Sequence, residues 1–426
     1  MTQARAGTGP FRGPGTSRLW STALPIALVM AGAIPWGLFA RDLLFRRDWV
    51  SGDFVAFFAA ARLVAAGAGS HVYELQAVAA VEQAAAGHAV GGTGILPYFN
   101  PPFFAWLLRP VAGLSLESAY RAWSMFSLLW LAIDAWLLWR IAAPLSREWR
   151  RVIVVAFVAL FPVAFGLQQG QCSLILEGSW SAAYLLLRAR RPAWAGVALS
   201  PMFIKPELLL PAVLFFAWKR EWRLLGTLSA CGIVAVVGSI AIVGAPSALA
   251  YPDFLLDSTS WSNYGNTPVL MFGWNGVLAA STAMGTATRQ LVATGLGLTT
   301  LGVAAYLWRA PSVGHGRSFA IRWLALSLAS MLIDQHFYFQ DIVMIVPGIV
   351  AVLASAGAQD RRWIAAAAGL AWCGQLLATY PNESWHVNIL ALLAVAALGA
   401  LAVRDLARAR RFRQRRIGPG DGALLL

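Results

Sequence analysis

Charge is scarce in this sequence, and lysine is almost absent. Only 12% of the 426 residues are charged and 59% are hydrophobic, whereas about a quarter of the residues of a soluble domain are charged. This composition excludes an ordinary soluble domain and indicates a polytopic membrane protein. Lys205 and Lys219 are the only lysines, so the formal net charge of +14 comes almost entirely from arginine.

The arginines occur mainly in short clusters between apolar runs, such as those at 188–191, 219–223 and 408–416. Clusters of this kind mark the cytosolic ends of spans and contact lipid headgroups. We therefore interpret the positive charge as a sign of membrane topology and predict membrane lipids, not nucleic acid, as its partners. The pattern places both termini in the cytosol and the loop at 334–338, which has no lysine or arginine, outside.

Motifs for nucleotide or metal chemistry are also missing. The three cysteines, Cys172, Cys231 and Cys373, lie far apart and form neither a metal-ligand spacing nor a disulfide framework. The chain has no dinucleotide-binding fingerprint, no P-loop, no DxD motif and no Ser-His-Asp order. We predict no cofactor and no metal, so that any group donor must be lipid-linked or otherwise reach the membrane face directly.

The chain is predicted to be an all-α polytopic membrane protein. Residues 1–17 are expected to form a disordered cytosolic tail, 18–404 the transmembrane domain and 405–426 a basic cytosolic tail. Thirteen apolar runs are present, and the run at 101–113 is too short to cross fully. Because two cytosolic termini require an even number, we predict a bundle of about twelve transmembrane helices.

The longest stretch without an obvious span, residues 41–98, is predicted to be the first external loop. It contains "FVAFFAAARLVAAG" and "ELQAVAAVEQAAAG", each closed by glycine, which indicates short amphipathic helices at the membrane interface. A second external segment, a polar loop, is expected at about 245–267.

The stretch "FIKPELLLP" (203–211) places a lysine within a long apolar region. A cation at membrane depth costs about 2.5 to 3.5 kcal/mol on insertion scales. Pro206 disfavours helix at Lys205, so the chain is predicted to break there. Lys205 would then reach a headgroup phosphate; the alternative is a structural ion pair with Glu207 or Glu177.

Polar side chains recur at the predicted outer ends of the helices, where one cavity could collect them. The set comprises Asp53, Arg62, Tyr73, Tyr98, Gln168, Gln169, Gln171, Lys205, Asp334, Gln335, His336, Tyr338, Gln340 and Asp341. Asp53 can act as a helix N-cap, as a carboxylate base, or as both. Two further acids within predicted helices, Asp134 and Glu177, are expected to have partners in the bundle because an unpaired carboxylate there is expensive.

Five stretches, taken in order, are similar to those of a known family. They are "GDFVAFFAAARLVAAGAGSHVYE", "YFNPPFFAWLLRPVAGLS", "LQQGQCSLILEG", "AGVALSPMFIKPELLLP" and "DQHFYFQDIVMIVP". Over about residues 20–400 the chain resembles glycosyltransferase family 87, whose members are GT-C-type membrane enzymes. These include polyprenol-phosphate-mannose-dependent mannosyltransferases and related arabinofuranosyltransferases.

The resemblance implies a GT-C-like bundle and a role for particular residues. Asp53 corresponds to the family's catalytic base, Lys205 to the lysine of its "KP" pair, and His336 to its late external histidine. Two departures leave the sugar and the acceptor open: Cys172 stands where the family often has Asn, and Asp-Gln precedes His336 in place of a Ser-Pro-like turn.

The expected function is transfer of a mannose-like hexose or a pentose, with inversion, from a polyprenyl-phosphate donor. The acceptor would be a glycan or glycolipid at the outer face of the plasma membrane. Asp53 is the expected catalytic base, and the expected substrate-binding residues are Lys205, His336, Gln171, Tyr98, Tyr338, Asp334 and Arg62. The alternative is a transporter or flippase of lipid-linked sugars, for which internal repeats would be expected and none is evident. A polysaccharide ligase or polymerase would favour a large late external loop with paired arginines, and the late loops have none.

Overall fold

The computed structural model describes residues 16–45, 52–91, 93–258, 271–309, 316–377, 392–397, 399–401 and 404. The predicted tail at 405–426 lies outside these residues, as does that at 1–17 apart from its last two residues, which begin the first helix.

The described residues are helical, with only one isolated β-bridge between Val90 and Gly94. The α-helices are α1 (Thr16–Phe45), α2 (Phe54–Ala65), α3 (Leu75–Ala86), α4 (Pro102–Leu107), α5 (Arg109–Ala112), α6 (Leu116–Ile141), α7 (Arg147–Val158), α8 (Phe161–Gln169), α9 (Ser173–Arg188), α10 (Pro192–Ala198), α11 (Leu210–Trp218), α12 (Trp222–Val243), α13 (Ala245–Ser258), α14 (Trp274–Ser281), α15 (Thr286–Trp308), α16 (Gly316–Ile333), α17 (Val346–Ser355) and α18 (Ala358–Leu377). Short 3₁₀ segments occupy Gly69–His71, Ser200–Ile204, Pro206–Leu209 and Phe339–Ile345. The predicted all-α class is confirmed.

Among the described residues, four helices are long and apolar enough to cross a membrane: residues 23–45 of α1, and α6, α12 and α15. A fifth crossing results if α7 and α8, which meet at a 40° bend, count as one span. The run at 101–113 forms α4 and α5, of six and four residues, which together rise only about 15 Å. The remaining apolar helices are shorter, so the figure of about twelve crossings stays a prediction.

The loop at 41–98, predicted to be external, forms its two predicted helices, but they differ in burial. In α3 only Val78 and Glu82 are buried, and the helix ends at Gly87 in the left-handed conformation (φ +80°). Helix α2 has nine buried residues out of twelve and so is not amphipathic as predicted. Its alanines permit close packing, and the Phe57 ring lies 5.3 Å from that of Phe104. The segment expected to be a polar loop at 245–267 instead begins with helix α13.

The chain breaks at Lys205, as predicted. The 3₁₀ segment Ser200–Ile204 ends there because Lys205 has φ −131° and ψ 76°, well outside the helical region. Pro206 then opens the next 3₁₀ turn, which leads into α11. The break leaves the lysine side chain at a junction between two short helical segments.

Two close backbone approaches bring helix ends together. Gly170 ends α8 with φ +69°, and a Cβ built on it would lie 2.5 Å from Phe54 Cβ at the start of α2. A Cβ on Gly273 would lie 2.0 Å from the Asp334 carbonyl oxygen, and Phe272 N–H donates to Phe337 O at 2.8 Å. Only glycine fits at these two contacts, which hold the segments that carry Asp53 and Asp334 in place.

We expect the buried acid of the first loop, Glu82, to make stability depend on pH. Leu96 N–H donates to its Oε2 at 3.0 Å, while burial raises its pKa from 4.5 to about 8. Between these values the unfolded chain releases a proton that the folded protein retains, so stability falls as pH rises. The melting temperature of the detergent-solubilised protein should therefore fall between about pH 5 and about pH 8, and less steeply in Glu82→Gln.

Glu148→Gln provides the control, because this glutamate is exposed in the first turn of α7. An unchanged pH slope in Glu82→Gln would contradict the assignment.

Candidate active site

Asp53 immediately precedes α2, yet its side chain makes no capping hydrogen bond. The carboxylate instead accepts a short hydrogen bond from Gln171 Nε2. Burial raises the pKa of Asp53, while the Gln171 hydrogen bond and the positive charge of Lys205 oppose the shift. The N-cap interpretation is therefore not supported, and a raised pKa suits a carboxylate that must accept a proton.

Lys205 is paired with an acid that lies far away in sequence. Its Nζ lies 2.8 Å from Asp341 Oδ2 and 3.0 Å from Oδ1, and the side chains are 12% and 0% exposed. Neither Glu207 nor Glu177 forms the expected ion pair. Lys205 thus forms a buried ion pair, but with Asp341 in place of the predicted Glu207 or Glu177.

Asp341 joins three segments of the chain. Besides Lys205, its carboxylate accepts from Ser173 Oγ at 2.7 Å, at the start of α9, and from Tyr338 N–H at 3.3 Å. Its own N–H donates to Tyr338 O at 3.0 Å. We predict Asp341 as one of the polar residues at the outer helix ends but assign it no specific role, because nothing in the sequence indicates that it contacts Lys205.

The turn between α16 and the 3₁₀ segment at 339 contains Asp334 and His336. Asp334 Oδ1 accepts from His336 N–H at 2.9 Å, and His336 Nε2 lies 3.2 Å from Ser258 Oγ. Burial lowers the pKa of His336 to about 4. His336 is therefore neutral near pH 7 and can offer a hydrogen bond but no positive charge.

The two predicted tyrosines of the site, Tyr98 and Tyr338, lie in different surroundings. The Tyr98 hydroxyl donates to Pro101 O at 2.9 Å, and its ring lies 6.2 Å from that of Tyr73. Burial raises the pKa of Tyr338, with a further contribution from the negative charges of Asp53, Asp334 and Asp341. Tyr338 thus lies among the acids, whereas Tyr98 belongs to an aromatic cluster beside them.

Arg62 is not brought to the same place. It lies nine residues along α2 from Asp53, a rise of about 13 Å. Its guanidinium donates to Ala112 O and Leu114 O, each at 3.1 Å, and it lines a separate cavity of about 510 Å³. The structure gives it a role in fixing α2 against the end of α5.

Asp134 and Glu177 are fully buried and neighbour each other. Ser181 Oγ donates to Glu177 Oε1 at 2.8 Å. Both Asp134 carboxylate oxygens and Glu177 Oε2 accept no hydrogen bond from the described residues, so no basic or amide partner meets them there. Glu177 lies one helical turn after Ser173.

The model of glycosyltransferase family 87 matches residues 98–334, which is more than half of the chain. The protein belongs to glycosyltransferase family 87. It is therefore a membrane glycosyltransferase, with a sugar donor and an acceptor as its substrates. Neither the curated proteins nor the solved structures contain a match to it.

The matched region of this family 87 member includes Tyr98, Gln171 and Lys205 and ends at Asp334. Asp53, His336, Tyr338 and Asp341 lie outside it. The place of these four in the candidate site consequently depends on the geometry, which brings Asp53 to Gln171 and Asp341 to Lys205.

We expect the Lys205–Asp341 pair to have separable effects on folding and on transfer. Lys205→Gln leaves a buried carboxylate without its cation, and breaking such a pair costs about 3 to 5 kcal/mol. Adding Asp341→Asn should restore the folded protein but not glycosyl transfer, if the ammonium acts on the donor phosphate. Thermal unfolding and initial rates measured on the single and double variants test this.

Glu117→Gln, which breaks the Arg121–Glu117 pair and leaves the bonds from Arg121 to the backbone of α1 in place, is the control and should cost less than about 1 kcal/mol. If the double variant recovers both stability and transfer, the ion pair is structural only.

Proposed function

We propose that this family 87 glycosyltransferase transfers a mannose-like hexose or a pentose from a polyprenyl-phosphate donor. The acceptor is a glycan or glycolipid at the outer face of the plasma membrane, and the reaction inverts the anomeric centre. The observation that carries the proposal is the meeting of one base and one cation at the same helix ends. Gln171 donates to the Asp53 carboxylate. Two residues later, Ser173 donates to Asp341, the ion-pair partner of Lys205.

Each step of the reaction has a group to perform it. Asp53 takes the proton of the acceptor hydroxyl while that oxygen attacks the anomeric carbon. The bond between this carbon and the donor phosphate oxygen breaks, and its electron pair stays on the polyprenyl phosphate. Lys205 stabilises that growing negative charge, an effect that is strong where water is excluded. One displacement with these two groups inverts the configuration.

The side chains next to Asp53 and Lys205 are suited to fix the orientation of these two groups. Gln171 Nε2 fixes the orientation of the Asp53 carboxylate. Asp341 takes two of the contacts of the Lys205 ammonium, which has three hydrogens, so one remains for a phosphate oxygen. His336 is neutral and can hydrogen-bond to the donor.

The charge at opposite helix ends supports an outward-facing site. The ends distant from Asp53 and Lys205 carry many basic residues of the described helices and turns, among them Arg188, Arg190, Arg191, Lys219, Arg220, Arg309, Arg317 and Arg361. Since basic turns stay in the cytosol, the end with Lys205 faces outward.

Asp53→Asn tests the base. Turnover with a labelled polyprenyl-phosphate mannose or arabinofuranose should fall by about 10² to 10⁴, the usual cost of losing a general base, while donor binding is kept. In the parent enzyme kcat should fall as pH drops through the raised pKa of Asp53, because the protonated carboxyl cannot accept a proton.

Asp253→Asn, at an exposed position in α13, is the matched control. Near-normal turnover of Asp53→Asn would remove its catalytic role, and movement of intact donor without transfer would favour a transporter or flippase.

Orientation is tested by cysteine labelling in intact cells, in a background without Cys172, Cys231 and Cys373. With both termini cytosolic, Ser384→Cys should react with an impermeant thiol reagent and Gly418→Cys should not. Both positions lie outside the described residues. The reverse pattern would turn the site toward the cytosol.

A further inference from the structure

Several buried oxygen atoms near Lys205 accept no hydrogen bond from any described residue. They are Gln171 Oε1, Glu207 Oε2, Asp334 Oδ2 and Gln335 Oε1. Asp334 is only 7% exposed, so its second carboxylate oxygen is not simply solvated. An unsatisfied buried acceptor costs about 1 to 3 kcal/mol, and a bound molecule that supplies donors would remove this cost.

The two acids of this set lie together. Glu207 follows Lys205 by two residues in the 3₁₀ turn Pro206–Leu209. Ser330 Oγ donates to the carbonyl of Leu208, the residue after Glu207, at 3.1 Å. Asp334 N–H in turn donates to Ser330 O at 3.1 Å, so Asp334 lies beside this turn. The pair is flanked by Lys205 on one side and by an aromatic cluster on another.

That aromatic cluster provides an apolar wall. The Tyr73 ring lies 5.6 Å from that of Tyr251 and 4.8 Å from that of Phe254. The Phe99 ring lies 6.4 Å from the ring of His336. The backbone N–H of His336 donates to the Asp334 carboxylate. Acceptor oxygens next to aromatic faces match a sugar ring, which carries O–H donors at its edge and C–H bonds on its faces.

Lys205 and the acceptor oxygens are suited to bind different parts of the donor. A lipid phosphate diester has no hydrogen to donate and is negatively charged, so it cannot satisfy carboxylate oxygens. A glycosyl group is neutral and rich in hydroxyl donors. A divalent cation would also suit oxygen ligands, but the described residues contain no cluster of three His, Cys, Asp or Glu side chains arranged to hold one.

We propose that Glu207 and Asp334 each accept a hydrogen bond from a hydroxyl group of the transferred sugar and thereby determine which sugar the enzyme uses. The inference rests on the proposed function, because it assigns the sugar portion of the same donor whose phosphate is bound by Lys205. A site that hydrogen-bonds a hydroxyl discriminates strongly against an analogue that lacks it, because its own polar groups are left unpaired.

The test pairs two isosteric variants, Glu207→Gln and Asp334→Asn, with donors that each lack one sugar hydroxyl. The parent enzyme should lose kcat/KM by about 10-fold to 10³-fold on the donor that lacks the contacted hydroxyl. The variant should be slower on the complete donor but lose little more on that deoxy donor. Equal losses on every donor, in both variants, would overturn the proposal.

Inhibition by polyprenyl phosphate, which has no sugar, separates a site effect from misfolding. Its inhibition constant should be unchanged in Glu207→Gln and Asp334→Asn and should rise in the double variant Lys205→Gln with Asp341→Asn, which keeps no unpaired carboxylate. Glu221→Gln, at the cytosolic-side end of α11, is the matched control and should alter neither measurement. A raised inhibition constant in both acid variants would contradict binding of the sugar alone.

A metal requirement would give the two acids a different role. Loss of transfer on chelation, restored by Mn²⁺ in the parent enzyme but not in the acid variants, would assign the acids to a cation and overturn the inference. Failure of the parent enzyme to transfer from any polyprenyl-phosphate sugar would instead contradict the proposed function itself.

Discussion

The ion pair between Lys205 and Asp341 is the interaction on which the rest of the site depends. It lies where the chain leaves one short helical segment and enters another, and Asp341 also accepts from Ser173 at the start of α9. A lone cation at this depth would be expensive, and a lone carboxylate equally so. Their pairing lets a charge remain in an apolar bundle, at the place where the proposed reaction releases a phosphate leaving group.

The groups around this pair differ in what they can bind: a cation suits an anionic group, and acceptor oxygens suit hydroxyl groups. Lys205 supplies the positive charge, since His336 is neutral, whereas acceptor oxygens surround it on Glu207, Asp334 and Gln171. A donor with an anionic end and a hydroxyl-rich end can lie across such a site in only one direction. Orientation of the scissile bond then follows from how the donor binds.

Local features of the fold could be predicted from the sequence, and long-range partners could not. The break at Lys205 follows from Pro206 and the end of α3 from Gly87, because each depends on backbone sterics of adjacent residues. The pairing of Lys205 with Asp341, or of Asp53 with Gln171, depends on how distant helices pack. Arg62 illustrates the limit: it lies in the helix that Asp53 precedes, yet its position in that helix turns it toward the end of α5.

The separation of 136 residues between Lys205 and Asp341 has a consequence for biosynthesis. The ribosome completes the lysine and the helices on either side of it long before it makes the partner carboxylate. Until then the ammonium has no buried counterion, so we expect the hairpin of α10 and α11 to rest with its tip at the water interface. The ion pair that buries Lys205 can form only after the 3₁₀ segment Phe339–Ile345 has been synthesised. Assembly of this bundle is thus tied to the order of translation.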